Sequence, residues 1–240
     1  CDCSEQHSGK MISAFMFGAS NIFWMSEKQR SIYFSKFPFL KNTKNIVLSS
    51  IFSDESLKKL KNIRNNKKTK KKQKAIIIGS NSWIKGVEDS VAYCVEKELE
   101  YEIVQGISHN DILEKMSEFT EFVFMPRGGD TCPRIVIEAK LAGLNIHTNL
   151  NTQHIDEKWW SENYENIELY LKERPEVFKK AIEKTINRQE TISGYTTVKD
   201  CINQDYPYIQ SIKSMLGFCD QVVVVDGGSK DGTWESLVEL

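Results

Sequence analysis

Apolar residues along this chain form short unbroken runs, separated by stretches in which they recur every three or four positions, the pattern of buried strands alternating with amphipathic helices. Met11 to Phe17 reads as a helix, Ile22 to Met25 as a buried strand, and Ser26 with Gln29 three residues later is a capping-box pattern that starts a helix through Phe34. Ile46 to Leu48 then gives a strand and Asp54 to Ile63 a helix. From Ala75 onward the alternation is regular. Ala75 to Ile78 is a strand ending in Gly79, Ser80 and Asn81, and Val87, Val91, Val95 and Leu99 mark the apolar face of the helix that follows. Tyr101 to Val104 is a second strand, and Ser108 with Asp111 caps a helix carrying Ile112, Leu113 and Met116. Phe122 to Met125 and Leu144 to His147 complete four strands. This spacing predicts right-handed βαβ units and a doubly wound parallel sheet. Ligands in such sheets bind beyond the carboxyl ends of the strands, so Ser80, Lys85, Arg127 and Asp130 are expected to converge.

Further on, Asp156 to Asn187 reads as two helices separated near Pro175. Trp159 and Trp160 suit packing, with an aromatic sugar platform as the sharper alternative, while His147 and His154 lack partners at metal spacing and read as satisfied loop or core histidines. A polar stretch, Asn187 to Glu190, places a boundary near residues 188 to 192. Beyond it come a strand from Thr191 to Val198, a helix from Tyr206 to Leu216 with Ile209, Ile212 and Leu216 on one face, and an apolar strand from Gln221 to Val225. Two strands cannot cover their own apolar faces, so Trp234 and Leu237 are expected to be unusually exposed.

Composition adds limits. With 240 residues, 40% hydrophobic and 27% charged, the chain is of globular class, and its net charge of −1 gives no overall pull toward nucleic acid or membrane. Lys58 to Lys74 nevertheless holds ten basic residues and no acidic one. It reads as a nucleic-acid or anionic-membrane patch or as a solvated linker; the absence of interleaved aromatic residues favours the linker, and a hinge. No apolar run has the length of a bilayer span and no signal peptide opens the chain. A first residue of Cys1 and an apparent mid-helix end at Leu240 suggest a fragment of a longer protein. Six scattered cysteines without a C-x-x-C point to reduced thiols and a cytoplasmic setting; Cys1, Cys3 and His7 offer a metal only three ligands.

Chemistry concentrates after the third strand, in PRGGDTCPRIVIEAKLAG, Pro126 to Gly143. Gly128 and Gly129 permit a tight turn, Thr131 is placed to cap the next helix, and Pro133 suits its first turn. Strand, glycine turn and helix together make an anion site. Asp130 and Glu138 have seven residues between them, about 80° past two helical turns, so both can border one cleft. The bland reading is a turn acid and a solvated helix acid.

The spacing, ending in Glu138, Ala139 and Gly143, resembles the E-x7-E signature of retaining glycosyltransferases of the GT-B fold, with Asp130 one methylene shorter than the usual Glu. Lys85-Gly86 stands where that family has Lys-Gly, and Gly106 to Pro126 resembles its run into the signature. The resemblance implies a Rossmann-like nucleotide-sugar domain over residues 67–188, preceded by the remnant of an acceptor-side domain and basic linker over 1–66. It implies Asp130 near the donor sugar, Glu138 on the ribose and Lys85 neutralising a diphosphate, with Ser80, Gly86, Gly129 and Thr131 lining the site; the family's basic residue before Lys-Gly is replaced here by the Gly79, Ser80, Asn81 turn, and Arg127 is the candidate to supply that charge. The segment VVVVDGGSKDGT, Val222 to Thr233, closely resembles the start of inverting GT-A glycosyltransferases, implying a truncated second domain over 189–240 in which Thr197 and Asp226 contact the nucleotide. That family's metal-binding acids and catalytic base would lie beyond Leu240. The resemblance therefore implies a nucleoside diphosphate sugar donor, a glycan, lipid-linked or protein acceptor, and no nucleic acid. It implies no cofactor in this stretch, with Mg or Mn possible for the downstream domain. The rival reading is a non-catalytic α/β nucleotide-binding or interaction module.

Overall fold

The computed structural model describes residues 7–66, 72–186 and 192–240. Cys1 and Cys3 lie outside these, as do the middle of the basic run and most of the expected boundary near 188 to 192. The chain is α/β with parallel sheets of Rossmann-like build. It divides into two compact units, residues 1–179 and 180–240, where the sequence suggested boundaries after 66 and 188.

The first unit opens with α1 (His7–Phe17), β1 (Ile22–Trp24), α2 (Glu27–Lys36), β2 (Asn45–Val47) and α3 (Asp54–Asn65). Ser26 caps α2 by accepting the Gln29 N–H at 3.0 Å, and the Gln29 side chain reaches back to the Met25 N–H at 2.8 Å, one residue earlier than in a standard capping box. Strands β1 and β2 pair in parallel, over a small core of Ile22, Trp24 and Leu40.

Next come β3 (Lys72–Ile78), α4 (Val87–Glu96), β4 (Tyr101–Val104), α5 (His109–Met116), β5 (Phe119–Phe124), α6 (Arg134–Leu141), β6 (Asn145–Thr148) and α7 (Tyr164–Ile186). The four strands form one parallel sheet in the order β4-β3-β5-β6. The chain leaves β3 toward one side and returns to β5 on the other, so the topological switch point falls between β3 and β5. Strand alternation loads both faces: Ala75, Ile77 and Val123 pack with Cys94 of α4, whereas Ile76, Phe122 and Phe124 pack with Leu113, Met116, Val136 and Ile137 of α5 and α6.

Several expectations change. The basic run is not a free linker at either end. Leu57 and Leu60 on one face of α3 enter the same core as Phe122 and Val136, which explains why no boundary follows residue 66. Arg64 pairs with Glu168 at 2.6 Å, while Lys72 and Lys74 begin β3 and pair with Glu118 at 3.0 Å and Glu100 at 2.9 Å. The apolar stripe on α4 also differs: Val95 is 65% exposed and the buried positions are Ser90 and Cys94. Steps of four residues advance about 40° beyond a turn each time, so a stripe drawn at such steps drifts off the buried face. Pro175 does not divide two helices but lies inside α7. Ile167, Leu171, Arg174 and Phe178 stay at helical spacing on the inward side, and their packing holds the helix through the one hydrogen bond that proline removes.

The second unit contains β7 (Ser193–Val198), α8 (Tyr208–Leu216), β8 (Gln221–Asp226) and α9 (Thr233–Val238). Strands β7 and β8 pair in parallel from Ser193↔Gln221 to Val198↔Asp226, as a sheet of their own. Ile212 of α8 is buried over them. Trp234 is 53% exposed, as expected, but Leu237 is half-buried.

Candidate functional site

In the first unit, the loops after β3 and β5 interlock at the switch point. Gly86 has φ +62, and a Cβ there would stand 1.8 Å from the Met125 carbonyl oxygen, so the position admits only glycine. Buried Ser90 ties the same two segments together, donating to the Gly86 carbonyl at 2.9 Å and accepting the Met125 N–H at 3.0 Å. The Arg127 N–H donates to the Ile84 carbonyl at 2.9 Å. This packing carries Lys85 onto Asp130, with Nζ 2.7 Å from Oδ2.

Asp130 is also fixed through its backbone. Its N–H donates to the Asn151 carbonyl at 2.8 Å and its carbonyl accepts the Gln153 N–H at 2.9 Å, forming a parallel bridge to Thr152. Because this bridge holds the turn extended, Thr131 does not cap α6. The N-cap position is Pro133, with ψ 109 and no side-chain cap, and the helix begins at Arg134.

The expected convergence is partial. Lys85 meets Asp130, and Gly86, Gly129 and Thr131 lie on the same loops. Ser80 accepts the Ser82 N–H at 3.1 Å within its own turn. The Arg127 guanidinium turns to α4, pairing with Asp89 and, at 2.7 Å, with Glu88. Glu138 is 1% exposed, and its two oxygens accept from Arg134 Nε and His109 Nε2, each at 2.9 Å. Arg134 and His109 were not singled out from the sequence. The signal for His109 was its place directly after the N-cap Ser108, at the carboxyl side of β4.

Two other histidines separate clearly. His147 is satisfied, with Tyr93 Oη 3.0 Å from Nδ1 and Glu121 2.8 Å from Nε2. His154 is core but not satisfied: it is fully buried, neither ring nitrogen has a hydrogen-bond partner, and its ring stacks on Trp159 with centroids 5.7 Å apart. Burial, with the Lys140 charge adding to it, lowers its pKa from 6.5 to about 3. Trp159 and Trp160 are packing residues around it.

In the second unit, the loop after β7 is laced to the loop after β8. Asp226 folds its own turn: its carboxylate accepts the Gly228 and Ser229 N–H groups, each at 2.9 Å, and the Ser229 hydroxyl. These bonds hold the carboxyl below the usual aspartate range, the Ser229 hydroxyl contributing most. Asp200 accepts the Lys230 N–H at 2.8 Å and its own N–H donates to Ser229 Oγ at 2.9 Å. At the carboxyl ends of the two strands lies a cavity of about 390 Å³ bordered by Thr197, Lys199, Cys201, Gln204, Tyr206 and Gly227. Thr197 was expected there. Lys199, Gln204 and Tyr206 were not, because loop residues without a motif carry no local signal.

No group of three His, Cys, Asp or Glu side chains among the described residues is placed to hold a metal ion, and Asp226 and Asp231 are committed to backbone N–H and hydroxyl donors. No helix among them is long and apolar enough to cross a membrane. Fold and loops thus define an α/β protein with glycine-bearing turns at the carboxyl ends of parallel strands in both units. Set against known proteins, the chain matches no family model, no curated protein and no solved structure.

Proposed function

We propose that this chain contributes to a glycosyltransferase, transferring a sugar from a nucleoside diphosphate donor to an acceptor hydroxyl in glycan or glycoconjugate synthesis, and that the second unit holds the nucleotide. The observation that carries this reading is the cavity at the carboxyl ends of β7 and β8. Its volume suits a nucleoside. It offers a hydroxyl on Thr197, an amide on Gln204, a ring on Tyr206 and a cation on Lys199. Lys199 pairs with no carboxylate among the described residues, so its charge is available to a phosphate. Sugar transfer breaks the bond between the sugar carbon and the diphosphate oxygen, and charge grows on that oxygen; a cation fixed nearby stabilises it as it develops. In the first unit Lys85, the cation expected in that role, is held by Asp130 at 2.7 Å, which leaves Lys199 as the lysine open to a phosphate.

A second reading has its own support. In the first unit Asp130, Glu138 and Arg127 all have protein partners, the arrangement of a structural or binding module without transfer chemistry. Calorimetric titration with a panel of nucleoside diphosphates tests both. Gly227 has ordinary contacts and an unstrained φ, so Gly227→Leu fills the cavity without backbone strain and is expected to weaken binding at least tenfold, while Gly227→Ala binds as the parent does. Equal affinity in Gly227→Leu contradicts the donor site in the second unit. Binding unchanged in Glu138→Gln supports a structural role for that acid, and its loss restores the first unit as a nucleotide site.

A further inference from the structure

The cavity wall contributed by the loop after β7 is held by a residue that does not itself border the cavity. Thr233 is fully buried, and its hydroxyl is saturated. It accepts the Cys201 N–H at 2.9 Å and the Ile202 N–H at 3.3 Å, and donates to Asp231 Oδ1 at 2.6 Å. The other oxygen of Asp231 accepts the Asn203 N–H at 2.9 Å. Three consecutive backbone N–H groups of the cavity loop thus end on two side chains of the loop after β8. The cavity loop is bounded by Asp200 at φ +46 and Asp205 at φ +52, left-handed conformations that aspartate adopts more readily than most non-glycine residues and that turn the chain at both ends of the loop.

We propose that Thr233, with Asp231, is the positioning residue of this cavity: it sets Cys201 and Gln204 in the wall, so that the site is formed before a ligand arrives. The proposal rests on the reading of the cavity as a nucleotide site, but the positioning itself is measurable without ligand. Thr233→Val keeps shape and removes the hydroxyl, leaving the Cys201 N–H buried and unpaired and the Ile202 N–H without this acceptor. Thr233→Ser keeps the oxygen.

The experiment has two readouts on the full chain. Cys201 is 4% exposed, so its alkylation by iodoacetamide, followed by peptide mass spectrometry, reports whether the wall is in place. Thr233→Val is expected to raise the Cys201 rate at least tenfold and weaken nucleoside diphosphate binding about tenfold, with Thr233→Ser within twofold of the parent in both. Should Thr233→Val fail to fold by circular dichroism, Asp231→Asn replaces it, with an expected rise of at least threefold in the Cys201 rate. A folded variant with an unchanged Cys201 rate overturns the positioning role. A faster Cys201 rate in a chain whose parent form binds no nucleoside diphosphate supports the positioning role and overturns the nucleotide reading alone.

Discussion

The two units solve one structural problem with different partners. Each places a turn containing glycine and aspartate at the carboxyl end of a parallel strand, where backbone N–H groups and acids gather. In the first, the acids take side-chain donors: the Lys85 ammonium on Asp130, and the Arg134 guanidinium with the His109 ring on Glu138. In the second, they take backbone N–H groups and neighbouring hydroxyls, at Asp200, Asp226 and Asp231. An acid satisfied by backbone stiffens the loop and leaves nearby cations unspent. An acid satisfied by a cation neutralises the very group an anionic ligand needs. Similar motif residues therefore leave one site charge-compensated and the other with Lys199 at an open cavity.

The largest expected effect breaks the first unit at its lock. Gly86→Ala combines a positive φ with a Cβ 1.8 Å from a carbonyl oxygen, and a loss of about 3 kcal/mol or more is expected in urea unfolding followed by tryptophan fluorescence. A loss below about 1 kcal/mol would mean that the β3 and β5 loops do not interlock as described.

Next in size is the acid response of the first unit. Buried His154 has its pKa lowered to about 3 in the folded chain against 6.5 for the free side chain, so between these values the unfolded state binds the extra proton. Stability from this residue is complete above pH 6.5 and is lost as pH falls toward 3, at a limiting slope of about 1.4 kcal/mol per pH unit. His154→Phe removes the titrating group, and its stability is expected to vary less steeply over that window. An unchanged slope would show that carboxylates alone set the acid limit.

Much of the fold was legible because burial dictates it. The runs Ala75–Ile78 and Phe122–Met125 have to be strands covered on both faces, and the caps at Ser26 and Ser108 are local chemistry that tertiary structure left intact. The misses are tertiary. Nothing near Thr131 announces that Thr152 will bridge Asp130 and delay the helix, and nothing near Pro175 shows that packing will carry a helix through it. The basic composition of Lys58–Arg64 masked the Leu57 and Leu60 face that joins α3 to the core. Site residues were legible by type but not by partner. Glu138 was identified as an acid of the site; its Arg134 partner, four residues earlier on α6, was a local signal left unread, whereas its His109 partner depends on the meeting of α5 and α6, which lies outside any local pattern.

The comparison of the two units comes down to which lysine answers a diphosphate. Nucleoside diphosphate and nucleoside affinities measured side by side for the parent chain, Lys199→Ala and Lys85→Ala decide it. Lys199→Ala is expected to lose about 10- to 100-fold in diphosphate affinity with little change for the nucleoside, as for one charge-assisted bond of about 1.5–3 kcal/mol, while Lys85→Ala changes either by less than about threefold. A large loss in Lys85→Ala with none in Lys199→Ala would contradict it, and would place the nucleotide at the switch point of the first unit.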